Sequence, residues 1–146
     1  MNPHMQIKNF IETDVRAFSG DILLIGSCMR DIAPEILKKL SKGKSGVYHV
    51  CLEEILGNLA GFKLTTIMRL GALKSITIFT KDGSPHCLQL HLSADEAADN
   101  VDFDKNKIVN YVYERKMKKL FKINPETIPY SRKLNKLQAL LESVKK

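Results

Sequence analysis

Three short apolar segments, each followed by a stretch with helical spacing, constrain this chain more than any other feature. Residues 21–26 form a continuous apolar run, which is typical of a strand buried on both faces. Residues 46–51 and 75–80 are rich in β-branched and aromatic side chains, which favour strands. Helical patterns follow these segments in turn, over residues 32–42, 53–70 and 87–99. Strands that alternate with helices in this way predict a parallel sheet with right-handed crossovers.

The predicted fold is therefore a three-layer α/β fold of the flavodoxin-like or Rossmann-like type, with about three βα units in residues 1–103. Pro34 suits the first turn of a helix, where its missing N–H costs nothing, and Gly43 is a suitable stop. Gly57 and Gly61 lie four residues apart in the second predicted helix, so they would allow a neighbouring backbone to approach closely.

The pattern changes after residue 100, and residues 104–146 are predicted to form a C-terminal β-hairpin and helix packed on the same domain. Residues 108–113 and 119–123 alternate well enough to be two strands, although a helical period fits them too. We favour the hairpin because β-branched and aromatic residues dominate both segments. A final helix is predicted over residues 131–144.

The net charge of +7 is distributed unevenly along the chain. Residues 1–103 carry 11 basic and 12 acidic side chains, whereas residues 104–146 carry 12 basic and 4 acidic ones. The body is thus close to neutral and the C-terminal region holds the whole excess. Such asymmetry favours a polyanionic partner for that region.

The N-terminal sequence and the lengths of the apolar runs indicate the cellular compartment in which the protein is expected. Residues 1–4 resemble the remnant of a cloning site, which makes Met5 a candidate natural start. We expect no signal peptide, since the first apolar stretch is short and interrupted by polar residues, and no membrane span, since no apolar run approaches about 20 residues. A cytoplasmic protein is the expectation, in which the three cysteines would be reduced thiols or metal ligands.

All three cysteines follow predicted strands. Cys28 comes just after the first strand, Cys51 ends the second, and His86 and Cys87 follow the third. Because the carboxyl ends of parallel strands share one edge of the sheet, these side chains are expected to converge there, at the edge where open α/β sheets bind ligands. His91 lies four residues after Cys87, on the same helical face, and is a further candidate.

Sulfur and nitrogen ligands converging on one site would suit zinc or an iron–sulfur cluster. The alternative is that the cysteines are buried core residues, since free cysteine is among the most buried residue types.

A nucleophilic cysteine is a second interpretation of this edge. Cys28 stands at the start of a helix and is followed by Arg30, and both features are expected to lower its pKa. His86 or His91 would then be the base. A phosphatase-type loop would need an arginine six residues after the cysteine, where Pro34 stands. Arg30 at a helix start also suggests a small-anion site, whereas a dinucleotide fingerprint and a phosphate-loop lysine are missing.

The segment 28–37, together with Gly46, Val47 and Cys51, resembles the delta subunit of methyl-viologen-reducing hydrogenase over about a quarter of the chain. That family is an iron–sulfur electron-transfer protein. The resemblance implies Cys28, Cys51 and Cys87 as cluster ligands and a larger redox protein as the partner.

The C-terminal region offers a different function. Basic residues are interleaved with four aromatic ones, a composition typical of nucleic-acid surfaces, where cations meet phosphates and rings stack on unpaired bases. The aromatic residues are Tyr111, Tyr113, Phe121 and Tyr130. The candidate basic residues are Arg115, Lys116, Lys118, Lys119, Lys122, Arg132 and Lys133. An acidic protein would account for the same charges, and aromatic core with solubilising lysines is the simpler interpretation.

Two hypotheses therefore follow. The first is a small α/β module whose Cys/His-lined site binds metal or a redox centre, as an accessory to a redox enzyme. The second is a nucleic-acid-binding module. A homo-oligomer is compatible with both, and whether the chain is an enzyme stays open.

Overall fold

A computed structural model describes residues 6–132 and 134–145, which form one mixed sheet flanked by helices on both faces. The strands are β1 Ile7–Asn9, β2 Gly20–Gly26, β3 Gly46–Val50, β4 Leu73–Lys81, β5 Ile108–Glu114 and β6 Lys119–Ile123. Their order across the sheet is β1-β3-β2-β4-β5-β6. Neighbours from β1 to β5 run parallel, and β6 is antiparallel to β5. The predicted α/β class with a mostly parallel sheet is confirmed.

The helices fall on both faces because the crossover from β2 to β3 runs in the opposite direction across the sheet from those that lead to β4 and β5. The helices are α1 Met29–Ile32, α2 Pro34–Ser41, α3 Gly57–Arg69, α4 Pro85–Val101 and α5 Leu134–Lys145. β3 lies on one side of β2 and β4 lies on the other, so right-handed crossovers put α1 and α2 on one face and α3 and α4 on the other. Two separate apolar clusters reflect this arrangement.

Both faces of β2 are buried, which explains its continuous apolar sequence. Ile22 and Leu24 pack towards α3 and α4, whereas Leu23 and Ile25 pack towards α1 and α2. All four side chains are 0% exposed. The strand therefore fixes the centre of the sheet, and its carboxyl end lies where the two crossovers diverge.

Two helices begin differently from the sequence prediction. The expected helix over 32–42 is divided at Ala33, which has φ −143°, because a residue before proline avoids the helical region and Pro34 opens α2. The helix expected from residue 53 begins only at Gly57, since Leu56 is extended, with ψ 134°. Before it, the N–H groups of Glu54 and Ile55 both donate to the Cys51 carbonyl in a turn.

Two further elements are absent from the sequence prediction, and one predicted element is confirmed. The short edge strand β1 was not predicted, and neither was the 3-10 helix Pro125–Arg132. The hairpin, rather than the alternative helix, is confirmed, and β5 pairs with β4, so the hairpin continues the sheet of the body. In its turn the Glu114 carboxylate accepts a hydrogen bond from the Met117 N–H at 2.5 Å.

No helix among the described residues is both long and apolar enough to cross a membrane.

Candidate functional site

A cleft of about 130 Å³ opens at the carboxyl ends of β2, β3 and β4, where the sheet topology reverses. It is lined by Cys28 from the turn after β2, by Cys51 directly after β3, and by His86 and Cys87 from the first turn of α4. The structure thus brings together four of the five predicted ligand candidates. Switch points of this kind are where open α/β sheets bind ligands.

The start of α4 fixes the position of Cys87. Ser84 is the N-cap, and its hydroxyl accepts a hydrogen bond from the Cys87 N–H at 3.3 Å, while Pro85 begins the helix. A Cβ atom built on Gly26 would lie 3.7 Å from Cys87 Sγ, so the thiol lies against the last residue of β2. The Ser84 N-cap therefore fixes the position of this sulfur in the lining of the cleft.

The electrostatics of Cys28 differ from the sequence prediction. Burial, followed by the neighbouring Cys87 thiol, raises the pKa of Cys28, and nearby Lys81 opposes the rise. The predicted lowering by a helix N-terminus and Arg30 is wrong. α1 has only four residues, and the Arg30 Nε donates to the Ser27 carbonyl at 3.0 Å. Arg30 is exposed and is not among the residues that line the cleft.

His91 does not join the other candidates. It is 2% exposed between α4 and the sheet, with Nε2 2.8 Å from the Thr80 hydroxyl and Nδ1 2.7 Å from Asn110 Oδ1. Since an amide oxygen only accepts, Nδ1 carries the proton and Nε2 accepts from Thr80. Both ring nitrogens are therefore engaged within the core. Burial lowers the pKa of His91 and keeps the ring neutral.

The thiols and His86 share the cleft without forming a coordination shell. In residues 6–132 and 134–145, no three His, Cys, Asp or Glu side chains are grouped closely enough to hold a metal ion. Cys28 and His86 are exposed, whereas Cys51 and Cys87 are partly buried.

Sequence reasoning did not identify a serine–histidine pair beside the cleft. Ser27 Oγ lies 2.9 Å from His49 Nδ1, and both residues line an adjoining cavity of about 120 Å³ that also reaches Cys51. Burial and then Arg30 lower the pKa of His49, which favours a neutral ring, and its Nδ1 shares a hydrogen bond with the Ser27 hydroxyl. The available signal was position, since Ser27 follows β2 and His49 precedes the end of β3.

The basic candidates of the hairpin lie beside the cleft rather than in it, because β5 runs parallel to β4 and its turn lies at the same carboxyl edge, towards the β6 side of the sheet. Arg115, Lys116, Lys118, Lys119 and Lys122 are exposed on the hairpin. Lys119 Nζ lies 5.2 Å from the centre of the Phe121 ring. Lys133 and the side chain of Arg132 lie outside the described residues.

Comparisons with known proteins agree with this architecture. A family model described as a Rossmann-like domain matches residues 18–142, a span that includes β2 to β6 and most of α5. Comparison with curated proteins and with solved structures finds no significant match. The sheet order, the helices on both faces and the matched span agree, and the chain belongs to this family of Rossmann-like domains.

Proposed function

We propose that the cleft binds a thiophilic metal ion, such as zinc, through Cys28, Cys51, Cys87 and His86. The observation that carries the proposal is the shared location of these side chains. Three separate segments of the chain bring every cysteine of the sequence, together with one histidine, to a single cleft at the switch point of the sheet.

An ion fits the cleft itself. The volume of the cleft is about 130 Å³, whereas sites for drug-sized ligands usually occupy about 300–1,000 Å³. Cavities of about 320 Å³ and 120 Å³ adjoin it and share Lys81 and Cys51 with it, so a larger ligand would extend beyond the four proposed donors. An ion with its ligands, or a compact cluster, is of the right size for the cleft alone.

The donor set favours zinc. Three thiolates and one imidazole are among the usual ligand combinations for tetrahedral zinc, whereas iron–sulfur clusters are most often held by four cysteines. An iron–sulfur centre, which the resemblance to the hydrogenase delta subunit implies, would need a ligand other than cysteine at one position. We therefore propose zinc first and make the cluster an outcome of the test.

The protonated thiol of Cys28 is better suited to be a metal ligand than a catalytic nucleophile. A raised pKa keeps the thiol protonated near neutral pH, and a protonated thiol attacks poorly. A bound cation deprotonates a coordinating thiol and relieves the repulsion between neighbouring thiolates. The exposed side chains of Cys28 and His86 would rotate towards the two other sulfurs as the ion binds.

Cobalt substitution tests this proposal directly. Co²⁺ added to the reduced protein should produce a thiolate-to-cobalt absorption band that zinc removes by competition. Cys28→Ser, Cys51→Ser and Cys87→Ser should each weaken the band and lower zinc affinity by at least about tenfold.

His86→Asn and His49→Asn form a matched pair, since only His86 belongs to the proposed donor set. We expect His86→Asn to weaken zinc binding and His49→Asn to leave it unchanged. A protein that binds Co²⁺ without a thiolate band, or whose zinc affinity is unaffected by all three serine variants, contradicts the proposal. A visible spectrum with iron and sulfide in anaerobically purified protein would identify a cluster in place of zinc.

A further inference from the structure

The β5–β6 hairpin carries a group of aromatic and basic side chains outside the cleft. The side chains of Tyr111 and Tyr113 belong to the face of the sheet that α1 and α2 cover, because both pack at the margin of the apolar cluster under those helices. Ile108 belongs to the cluster on the opposite face, as the alternation along β5 requires. Tyr111 and Tyr113 are partly exposed and lie two residues apart on one strand, so part of each ring is accessible at the margin of this sheet face.

β6 adds a cation to the same face. Lys122 pairs with Tyr111 across the antiparallel ladder, and side chains directly opposite each other project to the same face. Lys122 is exposed. Lys119 pairs with Glu114 and lies on the other face, over the Phe121 ring. The two lysines of β6 are therefore separated by the sheet.

The hairpin turn extends the positive charge beyond the rings. Arg115, Lys116 and Lys118 are all exposed in this turn, and the Glu114 carboxylate fixes the turn through the Met117 N–H. One end of the sheet thus combines two tyrosine rings with four cations, which we call the aromatic platform: Tyr111, Tyr113, Arg115, Lys116, Lys118 and Lys122.

We propose that the aromatic platform binds single-stranded nucleic acid. Successive rings on one strand lie about 6.6 Å apart, since a strand rises about 3.3 Å per residue. Flat sheet faces with two or three such aromatic side chains stack successive unpaired bases, and neighbouring cations meet the phosphates. A duplex hides its base faces, and an acidic protein has no use for two adjacent, partly exposed rings. Rings and cations together therefore favour a single strand.

The test uses the full chain and a fluorescein-labelled homopolymer of about 12 nucleotides, within the range of sites used by single-strand-binding folds. Anisotropy is measured at low salt with oligo-deoxythymidine and with oligouridine, which distinguishes DNA from RNA. The chain has no tryptophan and four tyrosines. Because two of these tyrosines belong to the platform, stacking should quench intrinsic tyrosine fluorescence as the strand binds.

Lys122→Ala and Lys119→Ala are matched variants, since each removes one charge from β6 on opposite faces. Lys122→Ala should weaken binding several-fold, and Lys119→Ala should change it less than about twofold. The double variant Tyr111→Leu/Tyr113→Leu should lose at least about fivefold, while Tyr111→Phe/Tyr113→Phe keeps the rings and should bind nearly as the native protein does. Circular dichroism melting checks that each variant is folded.

Several results would overturn the proposal. These are the absence of binding at low salt, equal losses for the two lysine variants, and equal affinity for duplex and single strand. If the Tyr111→Leu/Tyr113→Leu variant binds the oligonucleotide as tightly as the native protein, charge alone accounts for the binding. Displacement of the strand by polyglutamate at equal charge concentration would identify an acidic protein as the partner instead.

Discussion

His91 joins α4 to β4 and β5 through neutral hydrogen-bonding partners, the Thr80 hydroxyl and the Asn110 amide. Protonation would remove the acceptor at Nε2 and place a positive charge in a site that is 2% exposed. The lowered pKa of His91 is the consequence of that burial. The ring therefore supports the fold only in its neutral form.

This geometry predicts acid-sensitive stability. Below about pH 6.5 the unfolded chain binds a proton at His91 while the native chain does not, so the free energy of unfolding falls by up to about 1.4 kcal/mol per pH unit until the native ring also titrates. His91→Gln should make that slope shallower, as urea denaturation at a series of pH values would measure. His86→Gln, on the same helix but exposed, is the matched control and should alter the slope less. Superimposable slopes for wild type and His91→Gln would contradict this assignment.

The thiol of Cys28 makes the proposed metal affinity depend on pH. Its pKa is raised by burial and by Cys87, so the proton must be released when a cation binds. Zinc affinity should therefore rise with pH, by about tenfold per pH unit for the proton that Cys28 releases. Competition with a zinc-binding dye between mildly acidic and mildly alkaline pH would measure this. Cys28→Ser should show a shallower dependence, and an affinity independent of pH would exclude thiol ligation.

At the scale of elements, the packing of α3 against α4 gives its two glycines different roles. A Cβ atom on Gly57 would lie 2.4 Å from Gln89 Nε2, which forces that side chain to move. A Cβ atom on Gly61 would meet Ser93 Cβ at 3.7 Å, an ordinary contact. The predicted approach of a neighbouring backbone is not seen at either glycine: Gly57 meets the end of the Gln89 side chain, and Gly61 has room for a methyl group.

Gly61→Ala should consequently stabilise the protein by about 0.5–1 kcal/mol, because alanine loses less backbone freedom than glycine in a helix. Gly43→Ala is the contrasting variant, since Gly43 has φ +75° and open space around it. Gly43→Ala should destabilise the protein by about 1–2 kcal/mol, because alanine is strained in the left-handed backbone conformation. Urea denaturation of both variants measures these changes. Destabilisation by Gly61→Ala would show that α4 packs more closely than the distances indicate.

The sequence predicts those elements whose local signals agree with the tertiary structure. The run at 21–26 is apolar because both faces of β2 are buried, and its boundaries are correct to within one residue. β1 has three residues and depends on pairing with β3, so it has little local signal. The 3-10 helix Pro125–Arg132 contains Pro129, which a sequence rule treats as a break.

The candidate site was also predictable only in part. Cys28, Cys51 and Cys87 could be placed together because parallel strands end at one edge, a rule that needs no side-chain detail. His91 could not, because one helical turn after Cys87 advances about 6 Å along α4 and carries the side chain from the cleft into the helix–sheet layer. The raised pKa of Cys28 depends on burial, which spacing does not report.

At the scale of the whole molecule, charge and thiols lie at different parts of one sheet. The cleft lies at β2, β3 and β4, within a region of 11 basic and 12 acidic side chains. The hairpin occupies the β6 edge, within a region of 12 basic and 4 acidic ones. The positive excess therefore belongs to residues 104–146, of which the hairpin is a part, rather than to the region that forms the cleft.

This separation predicts how salt acts on the binding of single strands by the aromatic platform. If the four cations of the aromatic platform neutralise four phosphates, the logarithm of the oligonucleotide association constant should fall with the logarithm of salt concentration with a slope of about −3. Lys116→Ala/Lys118→Ala should make the slope less negative by about 1.4, since two phosphate contacts are lost. Anisotropy titrations at several salt concentrations measure these slopes.

Lys38→Ala/Lys39→Ala removes the same charge from the exposed face of α2, in the neutral body, and should leave the slope unchanged. Equal changes for the two double variants would mean that the strand senses only the net charge of the molecule, because long-range attraction does not depend on which lysines supply it. A change confined to Lys116 and Lys118 would place the phosphates at the hairpin turn, next to the rings of Tyr111 and Tyr113.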